Sequence, residues 1–416
     1  MKRLFSVLLS AAALLASVAT AQEVQEITVA MHYGQAQQDI LEPCFVAYEA
    51  QNPGVDIVYQ QISYGDYLQT ILTSRIGGQA PDIYHLYNIW GAQLVENDVL
   101  ATPPQDVLDF IGSTYIESTI DAVTIRDQVW GVPTEVSNYL LVYNRQLLNA
   151  AGVAVPTTWD EVIEAAAAIT ERNDQGDITT MGYAFGPSVA NVVHPFLTLL
   201  YSEGVEMFTE DYSATNLTTD EAVAVLERQV RLFEEGITDR SIEVWDFPSG
   251  SVGMMTMAPW YEQTLREGFG DAFEDTVGVT QIPAGDDWRS LQYAFFFGVD
   301  ANSPNQDAAW DVIEWLNTQQ DEGATSCIGD MLVGLGALTS HRGDIDAAQD
   351  ELGDSYSAPF VDALDRSITE PTVVQAAEIE RILQNYIEQA WAGRLEPAEA
   401  LSRADREISS ILAEFY

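Results

Sequence analysis

Aromatic side chains stand beside carboxylates and amides in short clusters along this chain, each cluster following or beginning an apolar run. His32 and Tyr33 form the first; Tyr64, Asp66 and Tyr67 the second; Asp82, Tyr84, His85, Tyr87, Asn88 and Trp90 the third. Glu135, Asn138 and Tyr139 follow, then Trp245 with Asp246, Trp260 with Tyr261, and Tyr293 with Phe295. A flat ring offers an apolar face, while carboxylates, amides and hydroxyls form directional hydrogen bonds. Together such groups grip a solute that has apolar faces and hydroxyl edges, with no bond broken. Catalytic signatures are missing from the sequence: there is no G-x-S-x-G elbow, H-E-x-x-H pair or P-loop. No context singles out two carboxylates at the spacing glycoside hydrolysis demands. Arginine, the natural partner of an anion, is scarce near the clusters, with Arg75 and Arg126 the nearest.

The clusters need elements to hold them. Ile27 to Met31 reads as a strand, Asp39 to Gln51 as a helix stopped by Pro53-Gly54, and the alternating Val55, Ile57 and Tyr59 as a second strand. Tyr67 to Ile76 is helical, Gly77-Gly78 ends it, and Pro81 to Tyr84 starts a third strand, so the opening is βαβαβ with a parallel sheet expected. Tyr139 to Tyr143 is apolar, branched and aromatic without alternation, the pattern of a strand buried on both faces. Thr158 and Glu161 have capping-box spacing, and Val162, Ala165, Ala166 and Ile169 continue a helical stripe. Ser303 to Gln306 caps a helix with Ala309, Val312, Ile313 and Leu316 on its buried face, and Ala376 to Leu412 reads as two helices broken at Gly393 to Pro397. Trp159, Trp310 and Trp315 fall in helix patterns and are read as core, as are Tyr67, Tyr139 and Phe295.

Length and charge bound the class. The chain has 416 residues, and such a length exceeds what one core usually supports, so two domains are expected. Met1-Lys2-Arg3, the apolar run Leu4 to Val18 and Ala19-Thr20-Ala21 form a secretory signal, 1–21, with the mature chain starting at Gln22. The run is too short to span a membrane. No cysteine follows the signal directly, so no lipid anchor is expected. Removing Lys2 and Arg3 leaves 15 basic against 64 acidic residues, a net charge of −49. Such a surface repels nucleic acid and anionic lipid, and the acids are spread along the chain, as on a solvated surface suited to a saline exterior. Cys44 and Cys327 belong to a compartment that permits a disulfide, and either a bridge or two buried thiols fits the sequence.

Residues Val129 to Val162 (VWGVPTEVSNYLLVYNRQLLNAAGVAVPTTWDEV) carry a resemblance to carbohydrate-type extracellular solute-binding proteins of ABC importers. In that family's order, Gly131 and Pro133 close one lobe, Leu140 to Asn144 begins the second, and Gly152-Val153, Pro156 and Thr158 to Glu161 open a helix. Asn52-Pro53-Gly54-Val55, Gly78 to Asp82, Gly250 to Trp260 (GSVGMMTMAPW), and Phe297-Gly298-Val299 with Ser303-Pro304 and Ala308 to Trp310 resemble its other motifs, before and after this stretch, in the same order.

The resemblance implies an α/β fold of two lobes, each a mainly parallel sheet flanked by helices, joined by three hinge crossings. Lobe 1 is expected at 22–134 plus 293–333 and lobe 2 at 135–292 plus 334–416. Both cysteines then lie in lobe 1, which favours the bridge. Solute would lie between the lobes, at the carboxyl ends of strands. The implied ligand set is Trp260, Tyr33, Trp245, Tyr64, Asp66, Asp82, Tyr84, Tyr87, Asn88, Glu135, Asn138, Tyr261 and Tyr293, with Trp260 placed as an aromatic plate at a strand end. No catalytic residue, cofactor or resident metal is implied. The function implied is capture of a mono-, di- or short oligosaccharide and delivery to permease subunits powered by a separate ATPase, as a periplasmic monomer. A polyol or a ferric ion held by His32, His85 and tyrosines is the alternative solute, and a secreted glycoside hydrolase the more distant one. Two departures stand out. Thr372, Gln375, Glu378 and Glu380 occupy the late segment where some oligosaccharide binders carry an aromatic, and Ser290-Leu291-Gln292 replaces a double glycine before the return strand.

Overall fold

The computed structural model describes residues 24–416, so the signal segment and its cleavage site lie outside the described residues. The opening is βαβαβ: strand Gln25–Met31, helix Gln35–Gln51, strand Val55–Gln61, helix Tyr67–Ile76, strand Ile83–Tyr87. Gln25–Met31 lies in the middle, parallel to both neighbours. This parallel unit brings the ends of its strands, and the loops that follow them, to one edge of the sheet.

Seven strands make the first sheet, in the order Leu338–Thr339, Val132–Asn138, Ser290–Val299, Ile83–Tyr87, Gln25–Met31, Val55–Gln61, with Ser367–Thr369 pairing Ser290–Val299. A five-stranded sheet follows the order Val277–Thr280, Leu140–Asn144, Val252–Met257, Ile178–Tyr183, Glu171–Arg172. The expectation of mainly parallel sheets holds for the opening unit, while beyond it parallel pairs, Ser290–Val299 with Ser367–Thr369 among them, are mixed with antiparallel ones. Ser290–Val299 runs antiparallel to both Ile83–Tyr87 and Val132–Asn138, and in the second sheet only Val252–Met257 with Ile178–Tyr183 is parallel. The cause is connectivity. Val132–Asn138 leaves the first sheet and Leu140–Asn144 enters the second with Tyr139 alone between them, while Ser290–Val299 brings the chain back beside the outgoing strand.

The crossing strands are wholly buried, and their packing leaves no room for a side chain at Gly131. A Cβ there would stand 2.2 Å from the Phe297 carbonyl oxygen and 2.4 Å from the Phe296 ring, so this position requires glycine. Local signals behaved as their physics dictates. Thr158 accepts from the Glu161 amide and Glu161 reaches back to the cap, and helix Trp159–Ile169 buries Val162, Ala165, Ala166 and Ile169. Helices Ala376–Trp391 and Pro397–Leu412 pack on each other and on helices Val189–Ser202 and Asp220–Glu234. Cys44 and Cys327 are disulfide-bonded with their α-carbons 6.3 Å apart, tying helix Gln35–Gln51 to helix Cys327–Leu335.

Candidate functional site

A cavity of about 1250 Å³ opens between the two sheets. The first sheet supplies one wall: His32 and Tyr33 after strand Gln25–Met31, Tyr64 after Val55–Gln61, Tyr87 and Trp90 at the end of Ile83–Tyr87, and Glu135 and Phe295 from the crossing strands. Trp245, Trp260, Ser188, Asn191 and His194 stand across from them, with Gln375, Glu378 and Glu380 from the first turns of helix Ala376–Trp391 and the residue before it.

Aromatic packing gives the first wall its shape. Phe295 stacks against His32, His85 and Tyr87 at 4.9, 5.3 and 5.2 Å between centroids. Tyr67 stacks on Trp90 at 5.4 Å, and Trp90 in turn meets Tyr64 at 5.4 Å. Tyr64 keeps 48% of its surface exposed. On the opposite side Trp245, 42% exposed, lies 6.2 Å from Trp260, with Tyr261 behind it at 5.5 Å. Free ring faces therefore stand on both sides of one space, the arrangement that suits a flat apolar ligand face.

Polar groups ring these plates. Glu135 is buried and accepts from the Tyr33 hydroxyl at 2.5 Å and from the Ser137 hydroxyl at 3.1 Å. Burial pushes its carboxyl up to about 7, against the downward pull of those two hydrogen bonds. His194 holds the Tyr139 hydroxyl at 2.7 Å through Nδ1 and faces Glu380 and Glu370 through Nε2, at 3.3 and 3.4 Å. Burial alone would lower the imidazole, but Glu370 and then Glu380 hold it well above its usual range. Burial and the neighbouring Glu370 carboxylate raise Glu380 well above the usual carboxylate range. Tyr87 donates to the second oxygen of Glu370.

Of the residues expected from sequence, Tyr33, Tyr64, Tyr87, Glu135, Trp245, Trp260 and Tyr293 line this cavity. Asp66, Asp82, Tyr84, Asn88, Asn138 and Tyr261 do not, each for a local reason. Asp66 is solvent-exposed just before helix Tyr67–Ile76. Asp82 precedes the strand Ile83–Tyr87 and so lies at the end away from the cavity, where it accepts from the Thr28 amide at 2.9 Å, Ser303 at 2.5 Å and Asn305 at 3.2 Å. Tyr84, at the same end, donates to Asp300 at 2.6 Å. Asn88 bridges the Glu370 carbonyl and the Ala294 amide, and Asn138 donates to the Phe360 carbonyl and to Ser367, so both pin backbone. Tyr261 is buried behind Trp245, and its hydroxyl donates to the Val244 carbonyl.

Tyr139 and Phe295, read as core, are buried and also form cavity wall. Gln375, Glu378 and Glu380, which stand in place of the late aromatic, reach it too. His194 was missed, although a lone histidine beside Asn191 in an otherwise apolar helix is a detectable signal. Glu370 carried no sequence signal, since only the pairing of Ser367–Thr369 with Ser290–Val299 brings it in.

The GacH receptor of Streptomyces glaucescens, solved unliganded and with acarbose, superposes with a TM-score of 0.80 at 21% identity, over 94% of this chain and 100% of that one. The fold is the two-lobed fold of periplasmic binding proteins. The sequence profile of the bacterial extracellular solute-binding proteins matches residues 33–322, and the chain belongs to that family. A putative binding protein of Brucella abortus (strain 2308) is 25% identical over 417 residues, covering 96% of this chain and 95% of its own. A lactose-binding protein of Rhizobium radiobacter is 27% identical over 280 residues, 64% of this chain and 63% of its own. No helix among the described residues is long and apolar enough to cross a membrane.

Proposed function

We propose that this chain is the solute-capturing component of an ABC import system. It holds a carbohydrate in the cavity between its lobes and presents it to permease subunits when the lobes close. The observation that carries the reading is the pairing of aromatic faces on opposite walls, Tyr64 and Trp90 against Trp245 and Trp260, with carboxylate, amide and imidazole groups between them. Sugar rings use both kinds of contact at once. The likeness to a lactose-binding protein and to a receptor solved with acarbose supports the same class. A cavity of about 1250 Å³ exceeds the ~300–1,000 Å³ common for small-molecule sites, which favours a di- or short oligosaccharide.

The lobes divide at 22–134 plus 293–333 and 135–292 plus 334–416, with Leu338–Thr339 and Ser367–Thr369 lent to the first sheet. Solute bound to both lobes stabilises the closed state by its contacts with each. The chain works as a monomer in the periplasm, freed from its signal, and a separate ATPase supplies the energy. It breaks no bond in its solute.

Thermal unfolding against mono-, di- and trisaccharides, polyols and ferric ion, at fixed salt, tests the reading. A ligand at 100 times its dissociation constant adds about 2.7 kcal/mol, visible as a raised midpoint. A rise with one saccharide class supports sugar capture; a rise with ferric ion or polyols alone overturns it.

A further inference from the structure

The cavity wall contains a second kind of chemistry that stacking on sugar rings does not use. His194 projects from helix Val189–Ser202 and Glu380 from helix Ala376–Trp391, while Glu370 follows the strand Ser367–Thr369, its backbone amide bonded to the Gln292 carbonyl at 2.7 Å. One potential ligand atom from each lies within 4.8 Å of the other two, and all three residues are buried. The His194 Nε2 stands 3.3 Å from Glu380 Oε1 and 3.4 Å from Glu370 Oε1. Ligands at tetrahedral corners around an ion bound at about 2.0–2.1 Å are separated by roughly 3.3–3.4 Å. Both distances from the imidazole nitrogen therefore match the spacing an ion would impose, and the two carboxylates lie within 4.8 Å of each other.

An independent observation points the same way. Glu370 is 4% exposed, and its Oε1, the oxygen facing His194, has no hydrogen-bond partner. A buried acceptor that no donor meets in hydrogen-bond geometry is costly; the His194 imidazole faces it at 3.4 Å without such a bond, and a cation seated between the two groups would engage both. The outer contacts are those of ligands held in place. The Tyr139 hydroxyl engages His194 Nδ1 at 2.7 Å, leaving Nε2 for coordination, and Tyr87 donates to the other oxygen of Glu370. His194 and Glu380 form cavity wall, whereas Glu370 is set behind them.

We propose that His194, Glu370 and Glu380 bind one divalent transition-metal ion of the zinc type, with a fourth position open to the cavity for an oxygen of water or solute. One imidazole with two carboxylates suits zinc better than the oxygen-only cages of calcium or magnesium. Bound there, the ion joins the strand edge at Ser367–Thr369 to helices Val189–Ser202 and Ala376–Trp391, which pack on each other. The proposal stands apart from sugar capture, because ion uptake is measured with no sugar present.

The experiment is calorimetric titration of chelator-stripped protein with zinc chloride. One tight site per chain and a raised unfolding midpoint are expected. His194→Ala and Glu380→Gln should each weaken that site at least tenfold, and Tyr139→Phe about 10- to 100-fold with the stoichiometry kept. Glu378→Gln, on the same helix and outside the cluster, should leave the affinity unchanged. Absence of a stoichiometric site in the stripped protein, or undiminished affinity in folded His194→Ala and Glu380→Gln, overturns the proposal. Should those variants fail to fold, the X-ray absorption spectrum of zinc-loaded wild type decides. One nitrogen with oxygen neighbours is expected, and a shell of oxygen alone refutes the site.

Discussion

Replacing Glu135 by glutamine should remove a pH dependence from stability whose sign and size follow from the buried carboxyl. Glu135 is 3% exposed, and burial raises its folded value from 4.5 to about 7. The folded chain thus holds a proton that the unfolded chain has released between those two values. The contribution of Glu135 to stability is complete below about pH 4.5 and is lost as pH rises through about 7. At 1.36 kcal/mol for each unit, the whole loss amounts to about 3 kcal/mol. Glutamine keeps the shape and an acceptor for the Tyr33 hydroxyl but has no proton to release. Urea unfolding of both proteins at half-unit steps from pH 4 to 8, in constant salt, yields the difference in free energy at each pH. That difference, wild type minus variant, should fall by about 3 kcal/mol across the window. Parallel curves would refute the argument that burial dominates at this carboxyl.

Trp260→Ala should weaken solute binding by about 1–3 kcal/mol, roughly 5- to 150-fold, with unfolding unchanged apart from the lost packing; calorimetry on the folded variant measures it. The Cys44–Cys327 bridge closes a separation of 283 residues, so chain entropy alone predicts that Cys327→Ser lowers stability by about 6 kcal/mol in urea unfolding. Raising salt from 10 mM to 1 M cuts the screening length from about 30 to 3 Å, and with 64 acidic against 17 basic residues the unfolding midpoint should climb. Indifference to salt would remove the saline reading of the surface.

Local order was legible in the sequence because its causes are local. Thr158 and Glu161 are three residues apart, and the capping box they form needs nothing from the rest of the chain. Tyr33, Tyr64 and Tyr87 were reachable because residues at the ends of strands in a βαβαβ unit gather at one edge. Asp82 and Tyr84 show the limit of that argument. They lie only a few residues from Tyr87, but at the strand's opposite end, and a boundary misjudged by that much moves a side chain across the whole sheet. The mixed sheets were hidden for a similar reason, since strand direction depends on which crossing strand returns beside which. Glu370 meets His194 across a sequence separation of 176, through strand pairing and helix packing that leave no periodic trace.

Calorimetric titration of the chain with the saccharide series, in parallel with Trp260→Ala, tests sugar capture in this cavity most directly. Saturable one-to-one heat from a di- or short oligosaccharide, sharply weakened in the folded variant, is the predicted result. Absence of heat from every saccharide, or equal affinity in both proteins, would contradict the assignment of this cavity to a sugar.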